Sequence, residues 1–156
     1  MELLKNRIEE VRQNTSDYAI NFANDYSGSS QYLGDAISEF ADSNTSIYYS
    51  SIIEYIKDNP DAVNDAINEF GWDGCGKDIY KAGQMAEYCE IQNELYSEID
   101  NIILLLALKE LEQYENITEE HIKKAEEVEF EGIDQNSRID EIADYIAGIM
   151  EDGEDD

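Results

Sequence analysis

The chain has 156 residues, with 38 Asp and Glu against 10 Lys and Arg, a formal net charge of −28, and 42% hydrophobic residues. That charge excludes direct binding of DNA, RNA or an anionic membrane surface, because phosphates are repelled rather than neutralised. The length of one domain, a single Pro and ample apolar residues favour a core of long helices over disorder or a many-stranded β fold.

Residues 1–12 alternate charged and apolar side chains without the apolar run of a secretion signal. Leu3, Leu4, Ile8 and Val11 have helical spacing there. Asn14-Thr15-Ser16 offers a break or a new N-cap, after which Tyr18, Phe22 and Tyr26 recur every four residues. Residues 27–30 read as a linker. Leu33, Ile37, Phe40 and Ala41 predict the next amphipathic helix, and residues 47–57 predict another with Ile52, Ile53 and Ile56 on one face. Asn59-Pro60 is a helix start, with Asn at the N-cap and Pro at the first helical position, and Gly71 is placed to end that helix. Residues 72–77 form a loop. From Asp78 to about Tyr114 the pattern reads as one long helix, kinked at Gly83 if anywhere. Its stretch 102–108 is apolar on every side, so it is either central or an interface, and it is too short to span a bilayer. Thr118 caps a short helix to about Val128, and a last helix covers 137–150. Only residues 128–133 alternate in a way that suits a short strand. The expected fold is mainly α: a multi-helix bundle with one long central helix and at most a short strand. It forms a single helical domain over residues 1–150, strongly acidic at 117–150, with a disordered acidic tail at 151–156.

Residues that carry chemistry are scarce. One His, His121, and two Cys, Cys75 and Cys89, cannot build a zinc site without carboxylate help, and no calcium loop or Glu-x-x-His pair occurs. His121 reads as an exposed helix residue. Gly74-Cys75-Gly76-Lys77 lacks the leading Gly and the hydroxyl residue of a phosphate loop and reads as a turn. No metal, cofactor or catalytic residue is expected. The two Cys are expected as free thiols in a cytoplasmic protein. Tyr48, Tyr49, Tyr80, Tyr88 and Tyr96 read as core or rim packing, since a base-stacking platform needs basic neighbours.

The acids are unevenly spread. Residues 110–156 hold 18 acids and 3 bases, more than half of the net charge. Glu87, Glu90, Glu94 and Glu98 form a row at helical spacing, a theme that Glu112 and Glu115 extend. Such rows cost a few tenths of a kcal/mol per like-charged pair, which suggests that the negative face has a use. The residues expected to meet a partner are Glu112, Glu115, Glu119, Glu126, Glu127, Glu129, Glu131, Asp140, Glu141 and Asp144. The partner is expected to be a basic, nucleic-acid-binding protein that takes this surface for a polynucleotide. The alternative is a helical adaptor that binds through apolar surface such as residues 102–108, with acids only for solubility. Self-association into a homodimer is compatible with either.

The segment Asp42-Ser43-Asn44-Thr45-Ser46-Ile47-Tyr48-Tyr49, followed by Asn59-Pro60, Asn68-Glu69-Phe70-Gly71 and Glu94-Leu95-Tyr96, resembles a group of small acidic proteins of phages and mobile elements. That group sits among anti-restriction and anti-CRISPR genes. The resemblance covers roughly residues 35–115. It implies a non-enzymatic DNA-mimic inhibitor of a host-defence nuclease in the bacterial cytoplasm, either a restriction enzyme or, first, a type II CRISPR effector.

Overall fold

The computed structural model describes residues 2–46 and 48–154, together with all their side chains except those of 129, 130 and 152–154. The described residues form nine α-helices and one 3₁₀ turn: α1 Glu2–Gln13, α2 Asp17–Tyr26, α3 Leu33–Ser43, α4 Tyr49–Asp58, α5 Pro60–Phe70, α6 Ile79–Ser97, α7 Ile99–Leu111, α8 Glu119–Glu126, the turn Val128–Glu131, and α9 Ile139–Glu154. The mainly α class is therefore observed. Where a short strand was expected at 128–133, the chain makes the 3₁₀ turn instead, closed by Gly132 at φ 85°. Among the described residues the one β-type pairing noted is an isolated antiparallel bridge between Tyr32 and Arg138.

Local signals place several helix ends. Ser16 caps α2 and accepts from the Ala19 N–H at 3.3 Å. Pro60 opens α5, but the Asn59 side chain does not cap it; its amide donates back to the Tyr55 carbonyl at 3.1 Å. Gly71, at φ 79°, ends α5 and donates to the Ile67 carbonyl. Thr118 and His121 exchange side-chain and backbone hydrogen bonds across the first turn of α8. His121 is thus a half-buried capping residue rather than an exposed spectator.

The expected long helix is two. Gly83 does not kink it: a Cβ there would meet Ile56 at 2.7 and 2.8 Å and Ile52 at 3.0 Å, so glycine allows α4 and α6 to approach closely. The break falls at Glu98, with φ −115° and ψ 21°, between α6 and α7. The Glu98 carboxylate accepts the Ser16 N–H at 3.0 and 3.1 Å. At the other end of the chain, α9 continues to Glu154 through residues 151–154, where a disordered tail was expected; 155 and 156 lie outside the described residues.

The chain divides into two compact units, residues 1–37 with 95–156, and residues 38–94. In the first unit α7 is the centre. Its Ile102, Ile103, Leu105, Leu106, Ala107, Leu108 and Leu111 are buried, surrounded by α1, α2, α8, α9 and the 3₁₀ turn. Leu4 and Ile8, Phe22, Ile122, Val128, Ile142 and Ile146 complete that core. A helix apolar on all sides requires such a jacket, because each fully buried Leu or Ile contributes about 1.5–3 kcal/mol. In the second unit Val63, Ala66, Cys75, Ala82 and Ala86 form a core cluster under Tyr55, Ile56, Ala62, Ile67 and Met85.

Candidate acidic interface

No acidic or other polar residue is buried among the described residues, so the carboxylates are all on or near the surface. Ten Lys and Arg can neutralise at most ten of the 38 acidic charges. The first unit holds 26 acids and 7 bases, net −19, and the second 12 acids and 3 bases, net −9.

In the first unit the ten expected contact residues separate into three groups. Glu112, Glu115, Glu119, Glu127, Glu131 and Asp144 are exposed. Glu126, Asp140 and Glu141 are engaged within the fold. Glu126 is half-buried and pairs with Arg7 at 2.5 Å, tying α8 to α1. Asp140 pairs with Arg138 at 2.7 Å, and Glu141 accepts the Arg138 N–H at 2.5 Å at the start of α9. The side chain of Glu129 lies outside the described residues.

The exposed acids differ in their settings. On α8 the acids Glu119 and Glu120 are followed one turn later by exposed Lys123 and Lys124, so that face is mixed in sign. Glu112 follows Lys109 by three residues and lines a small cavity with Lys109 and Arg12, whereas Glu115 has no cation within four residues in sequence. Glu127 and Glu131 converge on Tyr145 of α9, whose hydroxyl donates to the Lys124 carbonyl at 2.5 Å. The Tyr145 hydroxyl is held above its ordinary value by burial and then by the charges of Glu131 and Glu127. On α9, Ile139, Ile142, Ile146 and Ile149 turn inward while Glu141, Asp144 and Glu151 are exposed. Of the ten, Glu112, Glu115, Glu127, Glu131 and Asp144 are thus exposed acids outside the mixed first turn of α8, with Lys109 just before them and Lys123 and Lys124 among them in sequence.

In the second unit the acidic row expected on α6 is not a free display. Glu87 accepts from both the backbone N–H and the hydroxyl of Ser46, and the Tyr55 hydroxyl donates to Glu90. Burial, then the hydrogen bond to Glu90 and the charges of Glu90, Glu87 and Cys89, push the Tyr55 hydroxyl far up. Glu98, the last of the row, belongs to the other unit and holds Ser16. These acids anchor helix ends and loops. The displayed row is on α5, where Asp61, Asp65 and Glu69 recur at i, i+4 and i+8 and all are exposed, opposite buried Val63 and Ala66. Its signal was present in the sequence as acids offset from the apolar stripe. Glu69 and Asp65, with Glu90 and Cys89, line a groove between α5 and α6. The Cys89 thiol is raised by burial and by the Glu69 charge, and Cys75 and Cys89 are both free.

Of the five tyrosines expected in core or rim packing, Tyr80, Tyr88 and Tyr96 are half-buried as expected and two depart from it. Tyr48 and Tyr49 are 71% and 68% exposed rather than packed, and Tyr49 stacks on Tyr80 at 5.2 Å. Phe70, Trp72 and Ile79 are exposed in the same unit. In the apolar stretch 102–108 all residues but the half-buried Leu104 are buried, so it presents no continuous apolar surface. No group of three or more His, Cys, Asp or Glu among the described residues is placed to hold a metal, and no described helix is long and apolar enough to cross a membrane. No protein-family model matches the chain, and neither does any curated protein or solved structure.

Proposed function

We propose that this protein is a non-enzymatic inhibitor of a host-defence nuclease, first a type II CRISPR effector, that occupies a basic nucleic-acid channel with its acidic surface. The observation that carries the reading is the surplus of exposed, unmatched carboxylates, concentrated at net −19 in the unit that holds Glu112, Glu115, Glu127, Glu131 and Asp144. Duplex DNA presents about one negative charge per 1.7 Å of its axis, and a unit with 26 acids against 7 bases offers a dense array of negative charge to the same cations. A cationic groove exchanges its bound anions for such an array, and the long-range field speeds encounter. The inhibitor would act in the cytoplasm of a bacterial host.

Affinity capture from a bacterial lysate containing CRISPR and restriction proteins tests this. The expected result is a nuclease retained at low salt, released by high salt and by duplex DNA in competition. Retention of no nucleic-acid-binding protein, or of one that duplex DNA does not displace, overturns it.

A second reading, a helical adaptor that binds a partner through apolar surface, is favoured by one observation: the exposed rings of Tyr48, Tyr49, Phe70 and Trp72. Exposed Tyr and Trp rings are enriched among binding hot spots. Under that reading, Tyr48→Ala with Tyr49→Ala abolishes capture while neutralising the acids of the first unit leaves it intact.

A further inference from the structure

In the first unit a cavity of about 540 Å³ is lined by Tyr96, Ile99, Asp100, Ile103, Ile133, Asp134, Gln135 and Asn136. Three isoleucines and a tyrosine ring make its apolar part, and two carboxylates and two carboxamides its polar part. No basic side chain lines it. Ile103 is buried, Ile99, Ile133 and Tyr96 are half-buried, and Asp100 and Asp134 are exposed.

The walls are held in place. The Asp134 N–H donates to the Ser137 hydroxyl at 3.1 Å, and the Asn136 N–H donates to Asp134 Oδ1 at 2.8 Å. Gln135 and Ser137 carbonyls accept from the Gly34 and Leu33 N–H groups, both at 2.8 Å. Gly34 packs closely there: a Cβ would stand 3.2 Å from the Gln135 carbonyl and 3.3 Å from the Tyr96 hydroxyl. The loop that carries Asp134 is thus bound to the start of α3, while Asp100 sits in the first turn of α7.

We propose that this cavity receives an arginine side chain of the basic partner. The proposal rests on the reading of that partner as a cationic protein, and it names a contact chemistry within it. An anionic occupant is excluded by two carboxylates in a unit of net −19. A second copy of the chain, itself at −28, is repelled over any distance at which the fields overlap. Between the two biological cations, the lining selects guanidinium. Its planar head is weakly hydrated and presents several donors at once, matching Asp100, Asp134 and the carboxamide oxygens around an apolar floor. Its aliphatic stem would cover Ile99, Ile103 and Ile133, and the lining includes an aromatic ring, Tyr96, to which a cation is attracted. An ammonium is a compact, strongly hydrated point charge and gains less from apolar walls.

The test needs no nuclease, so its failure and the failure of the inhibitor reading are distinguishable. The intact protein, labelled at its isoleucine methyls, is titrated with n-butylguanidinium, n-butylammonium and neutral n-butylurea. The expected result is saturable shifts at Ile99, Ile103 and Ile133 with n-butylguanidinium, at an affinity at least about threefold above n-butylammonium, and none with n-butylurea. Asp100→Asn, and separately Asp134→Asn, each reduce that affinity at least about threefold while the remaining spectrum is unchanged. Equal, non-saturating shifts from both cations spread over the acidic surface would mean counter-ion condensation only and overturn the proposal. Saturable binding of n-butylurea would mean a plain apolar cavity and overturn it equally.

Discussion

Glu98 performs two tasks with one carboxylate: it stands at the break between α6 and α7, and it holds the Ser16 N–H that opens α2. Glu98→Ala leaves that donor without its acceptor and should lower unfolding free energy by about 1–2 kcal/mol, whereas Glu98→Gln, which keeps an acceptor, should cost much less. Urea unfolding of the two variants separates these outcomes. Gly83→Ala should cost about 1–3 kcal/mol by the same measurement, because its methyl group meets Ile56 and Ile52 at 3.0 Å or less. Glu110 supplies a pH-dependent case. Burial raises its carboxyl above the usual range, with the Gln113 hydrogen bond opposing. The folded state then holds this proton more tightly than the unfolded chain. Its contribution is present below the unfolded value and is lost as pH rises through the raised folded one. Glu110→Gln should therefore stabilise the protein at pH 7, by only a few tenths of a kcal/mol at this exposure, and leave it unchanged in acid. Thermal melts at both pH values check the sign.

Among the elements, α7 and α5 mark the two ends of the fold's logic. The apolar α7 is surrounded, so Leu106→Ala should cost about 2–5 kcal/mol in thermal or urea unfolding. The amphipathic α5 carries three unrelieved like charges, so Asp65→Lys, which faces Asp61 and Glu69 one turn away on either side, should stabilise by a few tenths of a kcal/mol. Elements with local signals were legible in the sequence: Ser16, Pro60, Gly71 and Thr118 mark their own helix ends. The break at Glu98 was not, because residues on either side of it suit a helix and the Ser16 partner lies 82 positions away. The acidic row on α6 was legible as spacing. Its employment was not, since Ser46 and Tyr55 reach Glu87 and Glu90 only through tertiary packing. Likewise Tyr48 and Tyr49 resembled core residues by type, and only their place before and at the start of α4 exposes them. The same limit applies to Glu126, Asp140 and Glu141, whose basic or backbone partners follow from the fold rather than from the run of acids.

For the whole molecule the governing quantity is −28 charges displayed on the outside of a chain with a pI near 4.1. Repulsion of this kind weakens the compact state and is screened over about 10 Å at 0.1 M salt. The melting temperature should therefore rise with added sodium chloride, by roughly 5 °C or more between low and molar salt. The central claim, that the exposed carboxylates of the first unit substitute for a polynucleotide, is tested most directly by one titration. The affinity for a guide-loaded type II CRISPR effector is measured across salt, for the native protein and for a variant with Glu112, Glu115, Glu127 and Glu131 changed to Gln and Asp144 to Asn. The account predicts a steep fall in affinity with salt for the native chain, and weaker binding with a shallower slope for the variant. Affinity that persists unchanged into molar salt, or a variant that binds as tightly as the native protein with the same slope, contradicts it.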